Sequence, residues 1–120
     1  MNNALRAFQA IVDGDMSGDI TSTEIDTTFL INHSVQFTWT GNAEGDFNVQ
    51  ITNNPNTRGT YARTNADWEN VAFSTQPAAA GVDGTIFINL SFLRCAAMRF
   101  TFTNTTGTGT VQAWYSGINA

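Results

Sequence analysis

The sequence predicts an all-β fold: an antiparallel β-sandwich of the jelly-roll or Greek-key type, with about seven or eight short strands. Three observations predict it. Apolar and polar residues alternate with period two on both sides of a Gly- and Asn-rich turn near the end of the chain. Turn signals recur at intervals of about 10 residues, with no helical crossovers between them. The composition is rich in Thr, Asn and Gly and only 12% charged, which suits pleated surfaces joined by tight turns.

Residues 1–12 read differently from the rest. Leu5, Phe8, Ile11 and Val12 fall at three- and four-residue spacing with Ala4, Ala7 and Ala10 between them, and Asn2 or Asn3 is available as a cap. That spacing predicts a short amphipathic helix. Alone in water such a helix is marginal, so its apolar stripe must lie on something. The domain reading is accordingly an N-terminal arm over 1–18 and a sandwich over 19–120. Leu5, Phe8, Ile11 and Val12 are the candidate partner-binding residues.

Asp13 to Asp19 breaks this segment, and strand-like residues begin at Ile20. Phe29-Leu30-Ile31 is a short apolar stretch, and Asn32-His33-Ser34 reads as a turn. Val35, Phe37 and Trp39 alternate with polar residues, and Gly41-Asn42-Ala43-Glu44-Gly45 closes a hairpin onto Phe47, Val49 and Ile51. Residues 52–67 form a long polar loop, a feature that in compact domains is usually functional or mobile. A strand resumes over Trp68–Phe73, residues 76–81 connect, and Ile86, Ile88 and Leu90 alternate again. Met98, Phe100 and Phe102, then Val111, Ala113 and Tyr115, form the last hairpin around residues 104–110. The expected core is Val35, Phe37, Trp39, Phe47, Val49, Ile51, Ile86, Ile88, Met98, Phe100, Phe102, Val111 and Ala113.

Charge removes several function classes. Ten acidic residues face five arginines, the net charge is -5, and there is no lysine. Nucleic-acid binding needs a basic stripe to displace phosphate counterions, and an anionic membrane surface repels such a chain. No apolar run approaches the roughly 20 residues of a membrane span. Phe8–Val12 is too short for the apolar region of a secretion signal, so a soluble chain without an export signal is expected. Lone Cys95 cannot form an internal disulfide and reads as a small buried hydrophobe or a loop thiol.

No catalytic constellation emerges. His33 has no Cys or second His to share a metal with, and a serine triad would need it as base. Glu44, Asp46, Asp67, Glu69 and Asp83 could supply a carboxylate pair, but all sit at strand ends or turns, where solvated carboxylates are ordinary. The expectation is no enzymatic activity, no cofactor and no metal. One motif argues for a cation: Asp13-Gly14-Asp15-Met16-Ser17-Gly18-Asp19-Ile20-Thr21-Ser22-Thr23-Glu24 matches a twelve-residue calcium loop, with Asp13, Asp15, Ser17 and Glu24 at ligand positions and Gly18 at the sharp turn. Against it, Ile25–Ile31 is β-branched where an exiting helix is needed, and no second loop exists. A Gly/Asp turn leading into the first strand is the preferred reading. Trp39, Trp68 and Trp114 raise a glycan-binding alternative, with Trp39 in the core and Trp68 and Trp114 at a sheet edge or subunit contact as the plainer one. Arg58 and Arg63 read as surface contacts to a carboxylate-bearing partner.

Several segments together resemble a class of small bacteriophage proteins: Gly18–Ser22, Ser34–Ile51, Trp68–Val71, Ala80–Gly84, Ile88–Leu90, Met98–Phe102 and Thr106–Val111. The likeness is diffuse and covers roughly 18–116, and it departs at Cys95-Ala96-Ala97, where relatives place a bulky aromatic before the arginine. The resemblance implies a virion structural protein, a decoration, cement or spike-type capsid accessory. It further implies contacts to virion proteins or neighbouring copies, a homo-oligomer (a trimer by default of closed symmetry), and location in the virion. A glycan-binding host-attachment module and a calcium-stabilised adhesion domain are the rival readings.

Overall fold

The computed structural model describes residues 4–56 and 62–120. These form ten strands: β1 Leu5–Asp15, β2 Ile20–Thr21, β3 Ile25–Asp26, β4 Leu30–Gly41, β5 Glu44–Thr52, β6 Glu69–Asn70, β7 Ala78–Ala80, β8 Gly84–Leu90, β9 Ala97–Thr106 and β10 Gly109–Asn119. One short 3-10 turn, Asn65–Asp67, precedes β6. Sheet A has the order β1-β10-β4-β8; sheet B has the order β2-β9-β5-β6, with β3 also on β9 and β7 also on β5. All pairings are antiparallel. The chain changes sheet at every connection except β2 to β3 and β5 through β7.

The sheets face each other across an aromatic core. Phe37 on β4 stacks on Phe47 on β5 with centroids 4.5 Å apart, and meets Phe100 on β9 edge-on at 6.0 Å. Trp39 and Phe102 close on Phe47 from either side, each at 5.0 Å. Offset and edge-on arrangements suit the ring quadrupoles. Of the expected core, eleven residues are buried, while Ile51 and Ile86 are half-buried at its margin. Leu90, Tyr115 and Met16 are fully buried as well.

The N-terminal helical arm is overturned. Residues 5–15 are a strand, paired along its length with β10. The reason lies in two bulges, between Gln9 and Ile11 and between Ile11 and Gly14. The inward positions of β10 are Tyr115, Ala113 and Val111, and they face Phe8, Ile11 and Gly14. Each bulge adds a residue to β1, so its inward residues recur every third position and imitate a helical stripe.

The expected turn at Asn32-His33-Ser34 is also corrected. It lies inside β4, where Asn32 and His33 together oppose Gly117. Asn32 takes the left-handed conformation at φ 54°, which asparagine tolerates, and the bulge swings His33 into the core. The strand expected over 68–73 is ordered as a strand only at Glu69–Asn70, although the Val71 amide still donates to the Val49 carbonyl at 2.8 Å.

Candidate functional site

The sandwich has two dissimilar ends. At one, called here the turn end, four connections meet: 16–19, 42–43, 81–83 and 107–108. They are laced by hydrogen bonds. The amide of Met16 donates to the Gly109 carbonyl (2.9 Å), that of Asn42 to Thr108 (2.9 Å), and that of Gly81 to Ala43 (3.1 Å). Asn104 Nδ2 donates to the carbonyls of Met16 (2.6 Å), Gly107 (3.2 Å) and Thr106 (3.3 Å). Asp83 accepts from the Gly41 amide at 2.7 Å, and Asp19 from the Asn104 amide at 2.9 Å.

The calcium-loop motif lies here and does not assemble. Met16 is fully buried and tethered at both its amide and its carbonyl, which folds the loop onto the sandwich. Asp13 accepts from Gln112 Nε2. Asp15 accepts from the Ser17 amide (3.0 Å) and hydroxyl (2.7 Å), which hold its carboxyl below the ordinary value. Glu24 points elsewhere, to Arg63 Nη1 at 2.8 Å. Among the described residues no group of three or more His, Cys, Asp or Glu side chains is placed to hold a metal.

At the opposite, open end the residues are apolar and uncovered. Phe29 is 79% exposed, Leu5 66% and Phe92 65%. Register places them along one rim. Leu5 pairs with Ile118, which pairs with Ile31. The Phe29 carbonyl accepts from the Ala120 amide at 3.0 Å. Phe92 follows Leu90, the partner of His33, just past the end of β8. Exposed large apolar side chains gathered at one end of a fold are a common sign of a contact surface.

The four candidate contact residues of β1 separate. Leu5 and Val12 are exposed and Ile11 is buried. Phe8 faces inward at the sheet edge, stacked on Tyr115 at 6.0 Å and partly open to solvent. Arg58 and the caps Asn2 and Asn3 lie outside the described residues. Arg63 is occupied by Glu24 and by the Asn54 carbonyl (2.7 Å). Trp39 is buried and donates to the Val82 carbonyl at 2.9 Å; Trp68 is buried under the Arg99 guanidinium, 4.4 Å from its ring. Trp114 remains open on the outer face of sheet A.

Burial shifts three titratable groups, His33, Cys95 and Tyr115. His33 and Tyr115 share a 2.6 Å hydrogen bond in the core. Burial, reinforced by Arg94, holds the His33 imidazole below its ordinary value, and burial, reinforced by Cys95, pushes the Tyr115 hydroxyl well up. Both groups are therefore neutral partners in this bond, one donating and the other accepting. Cys95 is pushed up by burial, against the lowering effect of its hydrogen bond with Thr27, so the thiol stays protonated. Sequence reasoning missed the His33–Tyr115 pair and the Asn104 clasp. Tyr115 sits in phase with Val111 and Ala113, and that was the available signal for the first. A cavity of about 140 Å³ lined by Ile51, Thr52, Asn53, Asp67 and Glu69 falls short of the roughly 300 Å³ of a small-molecule site.

The sequence matches no protein-family model. No curated protein matches it either. Solved structures do match the fold. A chain from the crystal structure of the IBDV viral particle aligns over 99% of this chain and 32% of its own length, at 12% identity and a TM-score of 0.58. A chain of infectious bursal disease virus, Gt strain, aligns over 98% and 33%, at 11% identity and a TM-score of 0.53. PirA aligns over 93% and 92%, at 13% identity and a TM-score of 0.52. The chain thus spans about a third of each virus chain and nearly all of PirA. At these identities the likeness is one of fold.

Proposed function

We propose that the chain is a structural subunit of a virus particle, in particular a bacteriophage capsid accessory of the decoration, cement or spike kind, working through protein–protein contacts. We also infer that its sandwich is a jelly roll. With β2 and β3 taken as one broken strand and β6 and β7 as another, two four-stranded sheets face each other, and the chain crosses between them at every connection except the one from β5 to β6/β7. Jelly rolls serve viral capsids and lectins, and the two virus chains above supply the likeness that prompts the virion reading.

The observation that carries the proposal is the apolar rim at the open end. Burying Leu5, Phe29 and Phe92 would contribute roughly 1.5–3 kcal/mol each. Loss of free motion on association offsets much of that. Repetition of the contact on a lattice restores strength through avidity. Neighbouring copies or shell proteins are the partners, with a closed homo-oligomer, a trimer by default, as the unit. On β1, Leu5 and Phe8 join the contact, Ile11 supports the strand from beneath, and Val12 stands exposed toward the turn end.

Quantitative mass spectrometry of purified particles tests the reading. The expected result is a fixed copy ratio to the shell protein that survives high-salt washing. Abundance in infected cells with none in the particles would overturn it.

A further inference from the structure

The outer face of sheet A carries a second surface, distinct from the rim. One transverse row crosses all four strands in register: Gln9 pairs with Trp114, Trp114 with Gln36, and Gln36 with Phe87. Trp114 is 42% exposed and Phe87 is 67% exposed. Two strand spacings separate them, ~9.6 Å, with the Gln36 amide between. One flanking row is Ser116, Ser34 and Asn89 with Ala7 on β1, and the other is Gln112, Thr38 and Thr85 with exposed Val12 and Asp13 at the β1 border, Asp13 bonded to Gln112. On a chain of net charge -5, this block of sheet is neutral.

Its polar groups are oriented by each other and keep spare capacity. Ser34 and Ser116 hydroxyls meet at 2.8 Å, and those of Thr38 and Thr85 at 3.0 Å. Gln36 Nε2 donates to Thr85 Oγ1 at 3.3 Å, and Gln9 Nε2 to Gln112 Oε1 at 2.8 Å. Both glutamine Oε1 atoms then face solvent without a partner among the described residues, as does Asn89 Nδ2, whose Oδ1 accepts from the Ser91 amide.

We propose that this row binds an uncharged oligosaccharide, Trp114 and Phe87 stacking on two sugar rings while the Gln9 and Gln36 carbonyl oxygens accept from their hydroxyls. A sugar ring offers an apolar C–H face and a rim of hydroxyls. Two separated aromatic rings with amide acceptors between them complement both. A protein partner would favour a contiguous apolar cluster, and the two rings here are isolated among hydroxyls and amides. A nucleic acid would need cations. The assignment is independent of the virion reading, because the row and the rim share no residue.

The test is an array of immobilised neutral and acidic glycans probed with the whole chain and with Trp114→Ala, Gln36→Ala and Phe87→Ser. The expected result is retention on one or more neutral glycans, at least tenfold weaker for Trp114→Ala and weaker for the other two, with melting temperatures kept. Retention on no neutral glycan, on acidic glycans alone, or equally by Trp114→Ala would overturn it. So would concentration-dependent self-association of the whole chain that Trp114→Ala abolishes, which would make the face a contact between copies.

Discussion

The turn end and the open end are built from the same strands, yet they solve opposite problems. At the turn end the backbone is closed on itself: Asn104 ties three carbonyls together, and Asp19 and Asp83 each cap an amide. At the open end Phe29, Leu5 and Phe92 stand in solvent with nothing over them. Polar groups that bond each other specify one geometry and leave little to offer a partner. Uncovered aromatic surface contributes nothing to the fold and everything to an encounter. On the proposed function, stability is concentrated at one end and contact at the other.

The largest test of that division is Gly45→Ala, on β5 beside the turn end. A Cβ there would collide with the Thr103 carbonyl oxygen and come within 2.7 Å of the Phe102 ring. Both belong to the neighbouring strand and cannot swing away, so a loss of about 3 kcal/mol or more in chemical denaturation is expected. Asn104→Ala comes next. It strips a donor from three carbonyls and should cost about 2 kcal/mol, read as a lower denaturation midpoint with unchanged slope.

The His33–Tyr115 pair produces a smaller, pH-dependent effect. The folded-state value of His33 is held below 6.5, so the unfolded chain binds the proton first. That contribution is complete above the ordinary value and is lost as pH falls below it. Melting temperature should therefore drop between about pH 7 and pH 5, and His33→Gln, which keeps a hydrogen-bonding partner for the Tyr115 hydroxyl, should flatten that slope. The smallest stability effect belongs to the open end: Phe29→Ser and Phe92→Ser should each stay within about 0.5 kcal/mol of the parent. A large loss in either would mean that the rim supports the fold.

Much of this molecule was legible in the sequence, for a physical reason. In β4, β5, β9 and β10 one face is buried and the pleat is regular, so Phe37, Phe47, Phe100 and Phe102 announce themselves by period two. The pattern failed where the ladder is bulged. Phe8, Ile11 and Gly14 occupy successive inward sites of β1 three residues apart, and that spacing is shared with a helix. His33 hid for the same reason: the bulge at Asn32 turns a sequence with turn character into a buried strand position. The calcium motif shows the converse. Its oxygen donors are correctly spaced along the chain, but Met16 is drawn into the core, and the carboxylates are spent on other partners, Asp13 on Gln112, Asp15 on Ser17, Asp19 on Asn104 and Glu24 on Arg63. The rim could not be read at all, because Phe29 and Phe92 flank strands β4 and β8, and only the pairing of those strands brings both to the same end of the sandwich.

The division between the two ends is tested most directly by particle occupancy. The double variant Phe29→Ser/Phe92→Ser and the turn-end variant Asp83→Asn would each be supplied to particles lacking the chain, with melting measured alongside. The account predicts at least a tenfold loss of bound copies for the rim variant at unchanged melting temperature, and full occupancy for Asp83→Asn. Full occupancy by the rim variant, or loss confined to the turn-end variant, would contradict it.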